Sequence, residues 1–500
     1  MLSDRLFKAF LILIVLLLSG GCATVGTGRV VAQLERPRAC QDSLDEVDGV
    51  IRVAGVTDAS SFSVPGFPYL RTSRFLLAMK DRLKTEQEKE EWLQLMRQLD
   101  EESREKEILN LPESKLYGLQ RNGPAPVDRK DIIAETRSCA QELFRHDSAR
   151  PNFIETLLPQ LKAPDEYSSI RRALGFFTIV SIPVNIVSER VKKRFQSSFN
   201  QPINQLPVEG NLRFYSPHPH ADLSNSELTG ILGTASANPL GIFLLDENSQ
   251  GKLAAFFAPV LIQDVAGLYD RIGRVYWNES KPDVDPLNPT VYYYFSHGLV
   301  HGHPILQINY VIWYSERTGD QSPRIERGHL DGLTLRVSLS SEGTPFMVDM
   351  MNNCGCYHFF SPRREAVLQV RSRPYGLKPF VPQWLPEISP GNRLGVRVNS
   401  GWHQVERLVA VNSSENTFQY ELIPYRVLES LPDRSGNHRR SMFDAEGIAV
   451  GTGRIEPLIF FSMGIPSIGS MRQRGHHAIE LTGHDHFDDP LLFENNFIMR

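Results

Sequence analysis

The apolar residues of this chain recur every three or four positions until about residue 205 and every second position afterwards. Only an α-helix gathers the first spacing on one face, and only a β-strand the second. A chain so divided folds as helices followed by sheet, the α+β class. In the first part, Leu76, Met79, Leu83, Trp92, Leu95, Met96 and Leu99 predict a helix over 72–111 that Pro112 ends. The dense charges between Lys80 and Glu107 read as its solvated face. Ile132, Thr136, Cys139 and Leu143 predict a second helix over 131–144. Helical segments over 153–162 and 167–194 follow, interrupted at Pro159, Pro164 and Pro183.

In the second part, Val291, Tyr293 and Phe295 share a face, and 305–314 reads as a second strand. Leu333, Leu335, Val337 and Leu339 alternate with Thr334, Arg336 and Ser338. The turn Ser340-Ser-Glu-Gly-Thr344 then leads to Phe346, Val348 and Met350, a hairpin signature. Segments 394–398 and 405–411, around Asn399-Ser-Gly-Trp-His403, predict another hairpin, and 418–427 a further strand. The expectation is a helical N-terminal half followed by an antiparallel β-rich C-terminal half. Its divisions are residues 1–21, a tether and lead-in over 22–70, a helical region over 71–204, and a β-rich domain over 205–500.

One helical stretch admits two readings. Residues 173–187 are mostly apolar, carry Pro183, and are flanked by Arg171, Arg172, Arg190, Lys192, Lys193 and Arg194. The favoured reading is a buried core helix broken at Pro183; the alternative is a membrane-surface segment.

The N-terminus has the three-part build of an export signal. Asp4, Arg5 and Lys8 precede an apolar run from Phe10 to Leu18, too short to span a bilayer, and then Ser19-Gly20-Gly21-Cys22. With cysteine directly after small residues, this resembles a bacterial lipoprotein lipobox, although Ser19 stands where leucine is usual. The resemblance implies cleavage before Cys22 and acylation of its sulfur and new amine. Two or more chains on one residue hold a protein stably at a membrane. Ala23, rather than Asp, follows the cysteine, which by the same resemblance favours the outer membrane, facing the periplasm. An uncleaved N-terminal anchor helix is the competing reading.

The 500 residues suffice for two or three domains, and 41% hydrophobic with 22% charged residues is ordinary for a globular chain. The formal charge of −4 leaves no basic field for nucleic acid. Beyond the signal no apolar run is long enough to span a bilayer. Partners are therefore sought in the envelope: the membrane through the lipid anchor, and an envelope protein or peptidoglycan.

Exported chains meet an oxidising compartment. Setting Cys22 aside leaves Cys40, Cys139, Cys354 and Cys356. The last two are close neighbours, so Cys40 with Cys139 is the natural long-range bridge; two separate buried thiols is the alternative. Such a bridge closes a loop of about 100 residues, worth roughly 4–5 kcal/mol in the chain-entropy model.

Asn353-Cys354-Gly355-Cys356-Tyr357-His358, if extended, places Cys354, Cys356 and His358 on one face. Two thiolates and an imidazole suit zinc or copper(I). A Cys354–Cys356 disulfide and a pair of buried structural thiols are the other two readings. Fourteen histidines include the close pairs 218/220, 301/303, 476/477 and 484/486. Convergence of His297, His358 and His477 or His486 on a cleft would make a metal centre.

Catalytic signatures are mostly absent. His297-Gly-Leu-Val-His301 lacks the glutamate of a zinc protease helix, and no Gly-x-Ser-x-Gly elbow occurs. His218-Pro-His-Ala-Asp222, with His301-Gly-His303 downstream, resembles zinc endopeptidases of the lysostaphin type. That resemblance implies zinc on His218, Asp222 and His303, with His301 assisting the attacking water. The glycine-rich strand context of those enzymes is missing. The blocks 291–360 and 462–490 look similar to exported proteins of Gram-negative bacteria with no assigned activity. The sequence thus points to a lipid-anchored envelope protein serving as a binding or structural module. A metal-dependent hydrolase and a thiol-redox protein using Cys354 and Cys356 are the alternatives.

Overall fold

The computed structural model describes residues 37–500 except 117–118, 120–127, 219–221, 372–377, 413–417, 434–435 and 437. The signal segment, Cys22 and His220 lie outside the described residues. Among the described residues no helix is long and apolar enough to cross a membrane.

Part of the expected lead-in is folded. Arg38–Ala54 (α1) turns Cys40, Leu44, Val47 and Ile51 inward, and Gly55 ends it in the left-handed conformation at φ 67°. Phe62–Val64 (β1) and Phe67–Thr72 (β2) form a short antiparallel hairpin. The single helix expected over 72–111 is two. Arg74–Met79 (α2) is capped by the Ser73 hydroxyl, and Glu86–Asn110 (α3) starts afresh at Thr85. There the Thr85 side chain accepts the Glu88 N–H while the Glu88 carboxylate accepts the Thr85 N–H. This capping box satisfies two orphan donors, so the chain restarts a helix instead of continuing one. Arg129–Ser148 (α4) packs Cys139, Ala140 and Leu143 against α1 and α3. Cys40 and Cys139 are disulfide-bonded, with α-carbons 4.8 Å apart.

Ser169–Leu174 (α5) and Phe177–Phe199 (α6) correct the expectation for 173–187. Pro183 lies inside α6 without ending it, on the exposed side, and the helix is not a core element. Leu174, Ile179 and Ile182 are 67, 67 and 61% exposed.

The second part is built on one ten-stranded sheet. Its elements in chain order are Asn211–His218 (β3), the helices Asn225–Ala235 (α7) and Glu247–Phe257 (α8), and Val260–Val265 (β4). Thr290–Val300 (β5), His303–Arg317 (β6), Gly328–Leu339 (β7), Pro345–Asn352 (β8) and Phe359–Pro362 (β9) follow. Asn392–Val398 (β10), Val405–Asn412 (β11) and Phe418–Pro424 (β12) complete it. The spatial order is β9-β8-β7-β6-β5-β12-β3-β4-β10-β11. From β5 to β9 the strands are an antiparallel meander, but β12 enters between β5 and β3 parallel to both, and β10 is parallel to β4. The sheet is therefore mixed, not antiparallel throughout. Strand alternation reports which face is buried and is silent on which neighbour a strand takes.

The two faces of the sheet differ. One carries Ile308, Tyr310, Ile312, Leu335 and Val337 into an apolar core covered by α7 and α8. The other buries polar side chains, among them Gln307, Asn309, Thr334, Arg336 and Asp349. The C-terminal segment covers part of this face and ties it to the helical half. Lys106 of α3 bridges Asp58 at 2.5 Å and Glu429 at 2.8 Å, and Arg474 reaches the same Glu429 through Nε at 2.7 Å. A further core cluster joins Trp92 and Leu143 to Leu240, Ile242 and Leu299. Packing thus continues across the division expected near residue 205.

Candidate functional site

The residues proposed as a soft-metal face do not share one. Gly355 adopts φ 85° and Tyr357 φ 58°, so 352–358 curls into a turn closed by Asn352 N–H to the Cys356 carbonyl at 3.0 Å. A Cβ on residue 355 would also fall 2.3 Å from the Ala478 carbonyl oxygen, so only glycine fits. The turn sends Cys354 into an apolar cluster with Trp313, Leu330 and Met471. His358 instead donates from Nε2 to Asp349 Oδ2, 2.9 Å away, beside Phe360 and Phe487.

The remaining histidines are dispersed. Nε2 of His297 meets the Phe243 carbonyl at 3.1 Å beneath the Phe75 ring, and burial lowers its pKa to about 4. His477 lies 3.7 Å from Asp488. His486 meets the Glu166 N–H at 3.4 Å and the Tyr167 ring, and its pKa is lowered to about 4, chiefly by burial. Among the described residues no three His, Cys, Asp or Glu side chains are grouped to hold one metal ion.

The register separates the lysostaphin-like set. Glu421 of β12 pairs with His218 on one side and Thr290 on the other, while His303 pairs with Val300 at the far end of β5. Ten strand residues put about 33 Å between those ends. His301 and Gly302 are the two central residues of the β5–β6 hairpin turn, both at positive φ. That pair is turn chemistry, the type I′ geometry such hairpins use.

What the fold does bring together is a buried polar chain around His403. The hairpin loop between β10 and β11 carries His403 at φ 53° and 1% exposure. Its Nδ1 lies 2.8 Å from Asp331 Oδ2 and its Nε2 3.2 Å from Asp270 Oδ1. Asp270 also accepts from Gly401 N–H at 2.6 Å and the Ser400 hydroxyl at 2.9 Å. Arg317 holds Asp331 bidentately, at 2.9 and 2.8 Å, and donates to Glu326 at 2.7 Å. Glu326 is gripped as well by the Trp402 indole at 3.0 Å and the Tyr357 hydroxyl. Phe195 of α6 packs against both Trp402 and Tyr357, with ring centroids 5.3 and 5.4 Å away.

Cys354 and Cys356 sit at the edge of this chain. The Cys356 N–H donates to Cys354 Sγ at 3.4 Å. The Cys356 thiol bonds Cys354 and lowers its pKa; burial opposes this, and Arg317 adds to the lowering. The same bond, together with burial, holds Cys356 well above the ordinary thiol range. Burial, then the charges of Cys354 and Glu326, push Glu456 up to about 8. Of the two thiols, Cys354 is the one shifted towards the thiolate, while the Glu456 carboxyl beside it keeps its proton at neutral pH.

No sequence spacing announced His403, Asp270, Asp331 or Arg317, which come from four separate elements. The signal that could have found the turn is Gly355 between two cysteines. No family model, no curated protein and no solved structure matches the chain.

Proposed function

We propose that this chain is a lipid-anchored envelope protein, held at the outer membrane through Cys22 and facing the periplasm, where it serves as a binding or structural module. The observation that carries the reading is the Cys40–Cys139 bond. Structural disulfides persist in oxidising compartments, and this pairing leaves Cys22, behind its short apolar run, for acylation. The dispersal of His297, His358, His477 and His486 weighs against the zinc-hydrolase reading. Membrane fractionation of a Gram-negative host, with non-reducing peptide mapping of the recovered protein, tests the proposal. The protein should sediment with outer membrane and yield the 40–139 linked peptide. A soluble cytoplasmic protein with both thiols free would contradict it.

A second reading is favoured by one contact, the Cys356 N–H on Cys354 Sγ. In it, the Cys354 thiolate attacks a disulfide of a partner protein, forming a mixed disulfide and releasing one partner thiolate, which takes a proton. The Cys356 thiol, giving up its proton, then attacks Cys354 Sγ and releases the second partner thiolate. The partner gains two electrons and the 354–356 pair loses them. Equilibration in glutathione buffers of graded poise, read by mass, tests it: the pair should pass between dithiol and disulfide without unfolding.

A further inference from the structure

Helix α6 has an inner face and an outer face of opposite character. Phe177, Val180 and Val184 pack inward on Tyr167, Met463 and Ile465. The outer stripe begins with Ile179, Ile182, Ile186 and Val187, from 51 to 67% exposed, and continues into Arg190, Lys193 and Arg194, also exposed. Beside the start of this stripe lies a second apolar element. The short helix Glu456–Ile459 carries Leu458 at 86% and Ile459 at 54% exposure. The two are held together: Gly175 approaches Ser462 so closely that a Cβ would sit 2.5 Å from its Cα, and the Arg171 guanidinium lies 5.8 Å from the Phe461 ring centroid. Scattered exposed apolar residues need no explanation, but one contiguous apolar patch bordered by cations does.

We propose that this face lies on an anionic phospholipid bilayer, with α6 in the plane of the interface and Leu458 inserted among the acyl chains. The proposal rests on the lipid-anchored reading above and adds a second membrane contact to it. Two features select a bilayer over a protein partner. The apolar stripe is followed on the same helix face by three cations, which matches hydrocarbon beside phosphate headgroups. On the lipid-anchored reading, the chain is also tethered to a membrane through Cys22. Residues 23–36 extend at most about 50 Å, so an anchor on Cys22 would keep the folded part within that reach of the bilayer. Pro183 fits the arrangement, because the protein core makes no demand on the exposed side of the helix at that point.

The test uses the chain from residue 22 with Cys22→Ser, which carries no acyl group; every core cluster lies at residue 40 or beyond, so this chain keeps its fold. Sedimentation with phosphatidylcholine vesicles containing phosphatidylglycerol should recover it, and pure phosphatidylcholine should recover far less. Ile182→Asp with Ile186→Asp and Leu458→Asp should lower partition at least about 10-fold. Arg190→Gln with Lys193→Gln and Arg194→Gln should lower it on the order of 100-fold at low salt. Circular dichroism and melting of both variants check that these surface changes leave the fold intact. Failure of the parent chain to bind anionic vesicles overturns the proposal. So does unchanged partition in both variants, or an apolar variant that turns a dimer into a monomer without altering partition. Loss of acylation at Cys22 with vesicle binding retained removes the anchor alone; acylation with no vesicle binding removes this face alone.

Discussion

The imidazole of His403 lies flat on the phenol ring of Tyr314, with centroids 3.8 Å apart and planes 5° from parallel. Both ring nitrogens meet carboxylates, so the stack fixes the ring between two anions in the interior. Burial disfavours its charge, yet the bonds to Asp270 and Asp331 outweigh burial and raise its pKa above the usual histidine value. A raised folded pKa gives stability that is complete below the unfolded value of about 6.5 and is lost as pH rises through the folded value. Asp270 and Asp331 are lowered despite burial, so their contribution is present above about 3.9 and is lost on acidification. In urea unfolding the His403 cluster should therefore contribute most between about pH 4 and 6.5, and less at higher pH. His403→Gln should lessen the alkaline fall, leaving the part due to Glu456, and destabilise by about 3–5 kcal/mol at pH 5.5.

Glu456 adds to the loss of stability at higher pH. Its folded pKa of about 8 exceeds that of the unfolded chain, so the native state binds an extra proton between about pH 4.5 and 8. Stability drains away across that window. Glu456→Gln should raise stability at pH 8 by on the order of 1–4 kcal/mol and leave it nearly unchanged at pH 4. Denaturant midpoints at the two pH values measure the difference.

Arg336 and Asp349 form a bidentate pair at 2.9 and 2.6 Å, both side chains almost wholly buried, with the Arg336 guanidinium stacked 3.7 Å from the Phe487 ring centroid. Asp349→Ala leaves an arginine buried and unpaired, and should cost about 3–5 kcal/mol. Arg336→Met combined with Asp349→Leu removes both charges and should recover most of that loss. A double-mutant cycle in urea reads the coupling.

Much of the architecture is legible from side-chain spacing. The buried stripe Ile132, Thr136, Cys139 and Leu143 marks α4, and the hairpins β7–β8 and β10–β11 follow from alternation around Gly343 and around Asn399–His403. The direction of β12 was not legible, because its parallel partners stand some 130 and 200 residues away in sequence and leave no local trace. Residues 173–187 misled for a physical reason: apolar content alone does not tell a buried helix from an exposed one. The Cys354-x-Cys356-x-His358 reading failed at Gly355 and Tyr357, whose positive φ values break the two-residue period that put three donors together. His403 was hidden because its partners, Asp270, Asp331 and Tyr314, meet it only through sheet topology.

The thiol pair should react unequally. With Cys354 lowered and Cys356 raised, thiolate chemistry at pH 7 belongs to Cys354, although its 5% exposure slows access. Arg317→Met removes one of the influences that favour the thiolate and should slow alkylation of Cys354 several-fold relative to the parent chain. Peptide mapping after timed iodoacetamide treatment measures this. If both thiols stay unmodified until the protein unfolds, the disulfide-exchange reading fails.

The central claim is that Cys22 carries the membrane anchor. Metabolic labelling with a palmitate analogue in a Gram-negative host, followed by purification of the chain and of Cys22→Ser, tests it directly. The account predicts label on the parent chain, none on Cys22→Ser, and a Cys22→Ser product that keeps residues 1–21 attached. Label that persists on Cys22→Ser, or a parent chain that never acquires it, would contradict the account.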